Sequence, residues 1–173
     1  MLTLISENTA LMQGEILLNP RSHSGWGGAV TAKMYLPIAL PSVWQQVTDY
    51  PRWVQYFPDV TKSEIRQVLE QSGIKRIYQA ASKAFLIFTA QVDITLKVLE
   101  TQNQRIQFFL ESGSFSDFHA DLQLQPHGDG TILTYSVQAT PTIPVPSFLI
   151  EQAIRFDLPT NLRQMRSVIC TGR

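Results

Sequence analysis

The sequence predicts an α+β fold in which a curved antiparallel sheet of about six or seven strands wraps a long C-terminal helix. Two short helices should follow the first main strand. Three observations lead there. Apolar and polar residues alternate with a strand's period of two over Ala29–Leu36 and through much of Phe85–Ala139. Ile150, Ile154, Leu158, Leu162, Met165 and Ile169 then recur at helical spacing. Between the first strand and the rest, "VWQQVTDYPRWVQYFPDV" (Val43–Val60) crowds Trp44, Tyr50, Trp53, Tyr56 and Phe57 together and interrupts them with Pro51 and Pro58.

Composition narrows the class. The chain has 173 residues, within the usual size of one domain, so residues 14–173 are read as a single domain after an extension at 1–13. Charged residues make up 16%, below the usual ~25%, while aromatics reach 10%. Fourteen basic and fourteen acidic residues cancel, with no basic run of the kind that neutralises phosphates, so nucleic acid is not an expected partner. The one cysteine, Cys170, excludes an internal disulfide and a paired-thiol motif. The N-terminus lacks a basic start and a long apolar run, and no stretch reaches the ~18 apolar residues of a membrane span. A soluble, cytoplasmic chain is expected, with transient contact at a membrane surface left open and the oligomeric state undetermined.

The elements follow in order. Met1–Gln13 is a loose extension or short helix, Gly14–Asn19 a short strand, and "PRSHSGWGG" a loop. In "AVTAKMYL", Val30, Ala32, Met34 and Leu36 share one face. Pro41 and Ser42 suit the first turn of a helix, and Asp49 can cap a second one that carries Pro51. Trp53 and Phe57 lie four apart on that second helix. "QSG" joins two strands as a hairpin. Leu86, Phe88, Ala90, Val92, Ile94, Leu96 and Val98 face one way. So do Ile106, Phe108 and Leu110, then Phe118, Ala120, Leu122 and Leu124, then Leu133, Tyr135, Val137 and Ala139 after a Gly-Asp-Gly turn. Pro159 should kink the final helix about halfway along. One long helix laid across a strongly curved sheet leaves a gap, which the aromatic helices can wall.

These residues resemble a known family. "LPSVWQQVTDYPRWVQYFPDV" is similar to the stretch after the first strand in the START-like superfamily (SRPBCC). That superfamily includes polyketide cyclases/dehydrases, birch-pollen-allergen-type proteins and coenzyme Q-binding START proteins. The matching residues are Pro41, Val43, Trp44, Asp49, Tyr50, Trp53, Phe57 and Pro58, followed near the end by Pro144, Pro146, Leu162 and Arg163. Where relatives often carry a tryptophan, in the strand before the last hairpin, this chain reads "HADLQLQP". The resemblance implies a helix-grip fold around a hydrophobic cavity, and the binding or transport of a lipid, quinone, isoprenoid or similar molecule.

On that reading Trp53, Tyr56 and Phe57 form the lid, and Phe88, Phe108, Phe118 and Tyr135 the sheet wall. Ile154, Leu158, Leu162 and Met165 line the helix side, and the Tyr135 hydroxyl adds one hydrogen bond. No cofactor, metal or catalytic residue is expected. Asp117, His119 and Asp121 alternate on one strand face, but that face should be solvated. Asp93 and Lys97 read as a surface pairing. Glu64, Arg66 and Arg76 lie where alternation is weak and either face is open to water. The alternative is a cyclase or dehydratase using the same cavity, with Tyr78, Tyr135, Glu64 or an arginine as its only acid–base candidates. A third reading is a partner-binding scaffold, with Trp26 as anchor.

Overall fold

The computed structural model describes residues 1–23, 25–84 and 89–172. Its elements are α1 (Leu2–Met12), β1 (Leu17–Arg21), β2 (Gly28–Leu36), α2 (Leu40–Val47), a 3₁₀ turn (Tyr50–Arg52) and α3 (Trp53–Tyr56). There follow β3 (Val60–Leu69), β4 (Ile74–Ala84), β5 (Thr89–Thr101), β6 (Arg105–Gly113), β7 (Phe115–His127) and β8 (Gly130–Pro141). The chain closes with α4 (Ser147–Gln152), a π turn (Ala153–Asp157) and α5 (Leu158–Thr171). Leu86 and Phe88, the latter assigned above to the sheet wall, lie outside the described residues.

All eight strands form one antiparallel sheet in the order β1-β2-β8-β7-β6-β5-β4-β3, so the first long strand pairs with the last. The inward alternation holds. Val30, Ala32, Met34 and Leu36 are buried on β2, Ile94, Leu96 and Val98 on β5, and Ile106 and Phe108 on β6. Against them lie Leu158, Leu162, Met165 and Ile169 of α5, also buried, so the helical stripe and the dry sheet face make one core.

The sheet is bent at defined places. Register shifts break the β3–β4 ladder twice, the β5–β6 ladder between Thr95 and Leu96, and the β7–β8 ladder between Phe115 and Asp117. An extra residue on one strand bends it and sharpens its twist. At the β5–β6 bend Gly113 holds φ 132°, and a Cβ there would come within 2.4 Å of the Asp93 carbonyl oxygen. Glycine is required by both conformation and space.

Several expectations are corrected. The strands number eight rather than six or seven, because the short β1 joins the edge of the sheet. Pro41 does occupy the first turn of α2, but neither Ser42 nor Asp49 caps a helix through its side chain. The irregularity expected at Pro159 falls just ahead of it, leaving the proline in the first turn of α5. The widened turn Ala153–Asp157 sits just before it and absorbs the mismatch of a residue with no N–H to donate.

Replacing Gly113 with alanine is expected to lower unfolding stability by about 1–3 kcal/mol, since a strained φ and a backbone clash add. Denaturant unfolding of the variant checks this, and an unchanged midpoint would remove the bend from any structural role.

Candidate functional site

Two apolar cavities lie on the inner side of the sheet, the smaller against the aromatic segment at Trp53 and Phe57 and the larger against the C-terminal helix. The smaller, ≈ 190 Å³, is lined by Trp53, Phe57, Val60, Gln79, Ala80, Ala81, Val92, Asp93, Ile94, Phe115, Phe118 and Tyr135. The larger, ≈ 320 Å³, is lined by residues of β2 and β8 (Gly28, Val30, Val137, Ala139, Pro141) and of the last helix (Ile150, Ala153, Ile154, Asp157, Leu158, Asn161), with Asp59, Lys83 and Phe115. Phe115 lines both. It meets Phe118 edge-on at 5.6 Å between centroids.

Trp53 is the fixed point of the aromatic wall. Its ring stacks on Phe57 at 5.5 Å and meets Phe108 edge-on at 5.5 Å, and its indole N–H donates to the Val47 carbonyl at 2.9 Å. Burying a tryptophan demands such a partner for its N–H. Tyr56 is fully buried and donates to the Gln46 carbonyl at 2.8 Å, and burial pushes its hydroxyl up to about 12. Tyr50, also fully buried, donates to Glu100 at 2.7 Å. Burial, joined by that carboxylate, raises its hydroxyl far above the usual range. Neither tyrosine lines a cavity; both hold the short helices in place.

The structure thus divides the residues expected at the site. Trp53, Phe57, Phe118 and Tyr135 line the smaller cavity, and Ile154 and Leu158 the larger. Tyr56, Phe108, Leu162 and Met165 line neither. They belong to the closed core, with Phe108 held between Tyr50 at 6.2 Å and Trp53. Strand alternation marks Phe108, and helical spacing Leu162 and Met165, as inward, but neither pattern separates a packed side chain from one facing a void.

Other expectations about polar groups resolve by pairing. Asp117 accepts from His23 at 2.8 Å. The His119 ring lies 5.1 Å from that of Phe109. Asp121, expected to be solvated, is buried under a bidentate contact from Arg105. The three do not converge, and among the described residues no cluster of metal-ligating side chains occurs. Asp93 does not pair with Lys97: its carboxylate accepts from Ser114 at 3.1 Å and Tyr78 at 3.4 Å, while Lys97 lies over the Phe109 ring. Glu64 and Arg66 bond each other, Arg66 covers the Tyr78 ring, and Arg76 binds Glu111 and Gln67. Glu64, Arg66, Arg76 and Tyr78 line neither cavity, whereas Asp93 lies at the smaller one.

Three contributors escaped the sequence. Gln79 faces the smaller cavity, and its signal was a polar residue in step with Ile77 and Ala81 on the inward side of β4. Gly28 lets the last helix touch the sheet: a Cβ there would lie 2.7 Å from Ile150 Cγ2 and 3.2 Å from Ile154 Cδ1. Lys83 bonds Asp157 of the π turn and lies 3.5 Å from Asp59, joining β4 to the helix at the larger cavity. Partial burial works against its charge, but the two carboxylates outweigh this and hold the ammonium above its usual range.

A bent antiparallel sheet closed by a long helix over apolar space is the helix-grip fold. The family model for polyketide cyclase / dehydrase and lipid transport matches residues 36–166, and the chain belongs to that family. No curated protein sequence matches it. Solved structures share the fold. A START superfamily protein from Mycobacterium smegmatis is 15% identical, covering 84% of this chain and 99% of its own, with a TM-score of 0.70. A STAR-related lipid transfer protein from Xanthomonas axonopodis is 18% identical over 89% of this chain and 93% of its own, TM-score 0.69. The Zhui aromatase/cyclase of a Streptomyces species is 11% identical over 84% and 93%, TM-score 0.65.

The Lys83 contacts generate a prediction. Lys83→Met should speed amide exchange across Ala153–Asn161 several-fold while costing under about 1 kcal/mol globally, because a partly exposed pair contributes little. A lysine whose folded pKa is raised stabilises below its unfolded value and loses that contribution as pH rises through the folded one. In the unmodified protein the same exchange should therefore accelerate only at strongly alkaline pH, beyond what base-catalysed exchange explains. Hydrogen-exchange mass spectrometry reads both, and unchanged protection in the variant would dissolve the link.

Proposed function

We propose that this chain binds and carries a hydrophobic small molecule between its sheet and its C-terminal helix. One observation carries the reading: two apolar cavities meet at Phe115 inside a fold whose family description includes lipid transport. The larger cavity falls at the lower end of the ~300–1,000 Å³ typical of ligand pockets, and the smaller extends it. Burial of apolar surface, at ~25 cal/mol per Å² before the costs of association, supplies the affinity. Residues 14–173 form the binding unit. Helix α1 is an appendage that buries Leu11 and leaves Leu2, Leu4 and Ile5 exposed.

A second reading, a cyclase or dehydratase, has its own observation: Asp59, Lys83 and Asp157 converge on the larger cavity. Acid–base catalysis works best when a group titrates near the working pH. Lys83 is moved away from that range, and burial pushes the Tyr135 hydroxyl up to about 12. The other acid–base candidates, Glu64 and Tyr78, line neither cavity. The carrier reading is therefore preferred. A scaffold role for Trp26 is weaker still, since its indole N–H is engaged by the Pro141 carbonyl at 2.7 Å.

Native mass spectrometry and organic extraction of the purified protein should reveal a bound apolar compound. Val92→Trp, filling the smaller cavity, and Val137→Trp, filling the larger, should each reduce uptake of that compound at least tenfold. Each should cost about 1–3 kcal/mol of stability from overpacking. An empty protein that takes up no apolar probe would end the carrier reading.

A further inference from the structure

We infer that the smaller cavity receives a neutral, single-ring ligand head bearing both a hydrogen-bond donor, met by Gln79, and an acceptor, met by Tyr135. The inference rests on the reading of this cavity as a binding site and names the chemistry it selects.

The polarity at Gln79 is set by a chain of hydrogen bonds. The Ser63 hydroxyl, which is buried, donates its one proton to the Tyr50 carbonyl at 2.6 Å. Its oxygen therefore accepts, and Gln79 Nε2 donates to it at 3.1 Å. With the nitrogen held against Ser63, the amide oxygen of this cavity-lining residue is left as an acceptor, and it has no partner among the described residues. A matching ligand atom must donate. Tyr135 lines the same cavity, and its hydroxyl likewise has no partner among the described residues. Burial keeps it protonated, so it can donate to a ligand oxygen.

The remaining lining excludes a charged head. Asp93 is the one ionisable carboxylate there, and it is engaged by Tyr78 and Ser114. An anion placed among these aromatic and aliphatic side chains would lose its hydration and face the Asp93 carboxylate with no counter-ion, and a cation would meet that carboxylate already held by two hydroxyls. Size points the same way. An apolar cavity of about 150 Å³ takes benzene, so ≈ 190 Å³ accommodates one ring with a few substituent atoms. An apolar tail then has the ≈ 320 Å³ beyond Phe115. The class is a hydroxylated or hydroxy-keto ring with an aliphatic chain, rather than a fatty acid.

Isothermal titration with three probes tests this: para-hydroxybutyrophenone (donor and acceptor), para-methoxybutyrophenone (acceptor only) and butylbenzene (neither). The unmodified protein should bind them in that order, each step being roughly three- to tenfold, the net worth of one hydrogen bond. Gln79→Met should abolish the first step alone and Tyr135→Phe the second alone, each step being read as a ratio of probe affinities within the same variant. Should Gln79→Met fail to fold, Ser63→Ala releases the amide and should shrink the same step. Equal binding of all three probes overturns the inference and leaves the carrier reading standing. Steps that persist in the variants overturn the assignment to these residues. If no probe binds the unmodified protein, the carrier reading of this cavity fails with it.

Discussion

The curl of the sheet is the constraint on which the other features depend. Gln79 on β4 and Tyr135 on β8 are separated in the sheet by β5, β6 and β7, yet both line one cavity. In a flat sheet three intervening strands, each ~4.8 Å apart, would keep them far from any common space. Bulges and Gly113 supply the bend, and inward parity then aims side chains from distant strands at one volume.

Closure over that volume is uneven. Toward its C-terminal end the last helix packs tightly through Leu162, Met165 and Ile169. Nearer its start it rests on Gly28 through Ile150 and Ile154. Between these seats the helix widens into a π turn and passes over open apolar space. Well-packed interiors leave few voids larger than a water molecule, so cavities of this size need rigid surroundings. The aromatic block provides them. Trp53 is fixed by four ring contacts, with Tyr50, Tyr56, Phe57 and Phe108, and one hydrogen bond, and Tyr50 and Tyr56 each tie a short helix to a neighbour.

Polar groups divide between two roles. On the outer face, charges neutralise each other locally, as Glu64 with Arg66 and Arg76 with Glu111. At the smaller cavity the polar side chains are few, and Gln79 is oriented through Ser63 and the backbone of the 3₁₀ turn, while the charges at the larger cavity, Asp59, Lys83 and Asp157, pair with one another. Orientation without charge suits recognition of an uncharged ligand better than proton transfer.

Much of this was legible in the amino-acid order, because alternation, helical spacing and proline positions act locally. They specified the long strands, the paired short helices and the buried faces, and Trp53, Phe57, Phe118, Tyr135, Ile154 and Leu158, expected at the site, border the two cavities. The same patterns placed Phe108, Leu162 and Met165 inward, yet these fill the core, since whether an inward side chain meets atoms or space depends on the opposite wall. Only the tertiary structure decided where the gap lies, that Phe115 borders both cavities, that Gly28 seats the helix, and that Gln79 lies at the smaller cavity with its nitrogen held by Ser63. Each of these depends on contacts between segments remote along the chain, and no local periodicity encodes the distance between two surfaces that meet only after folding.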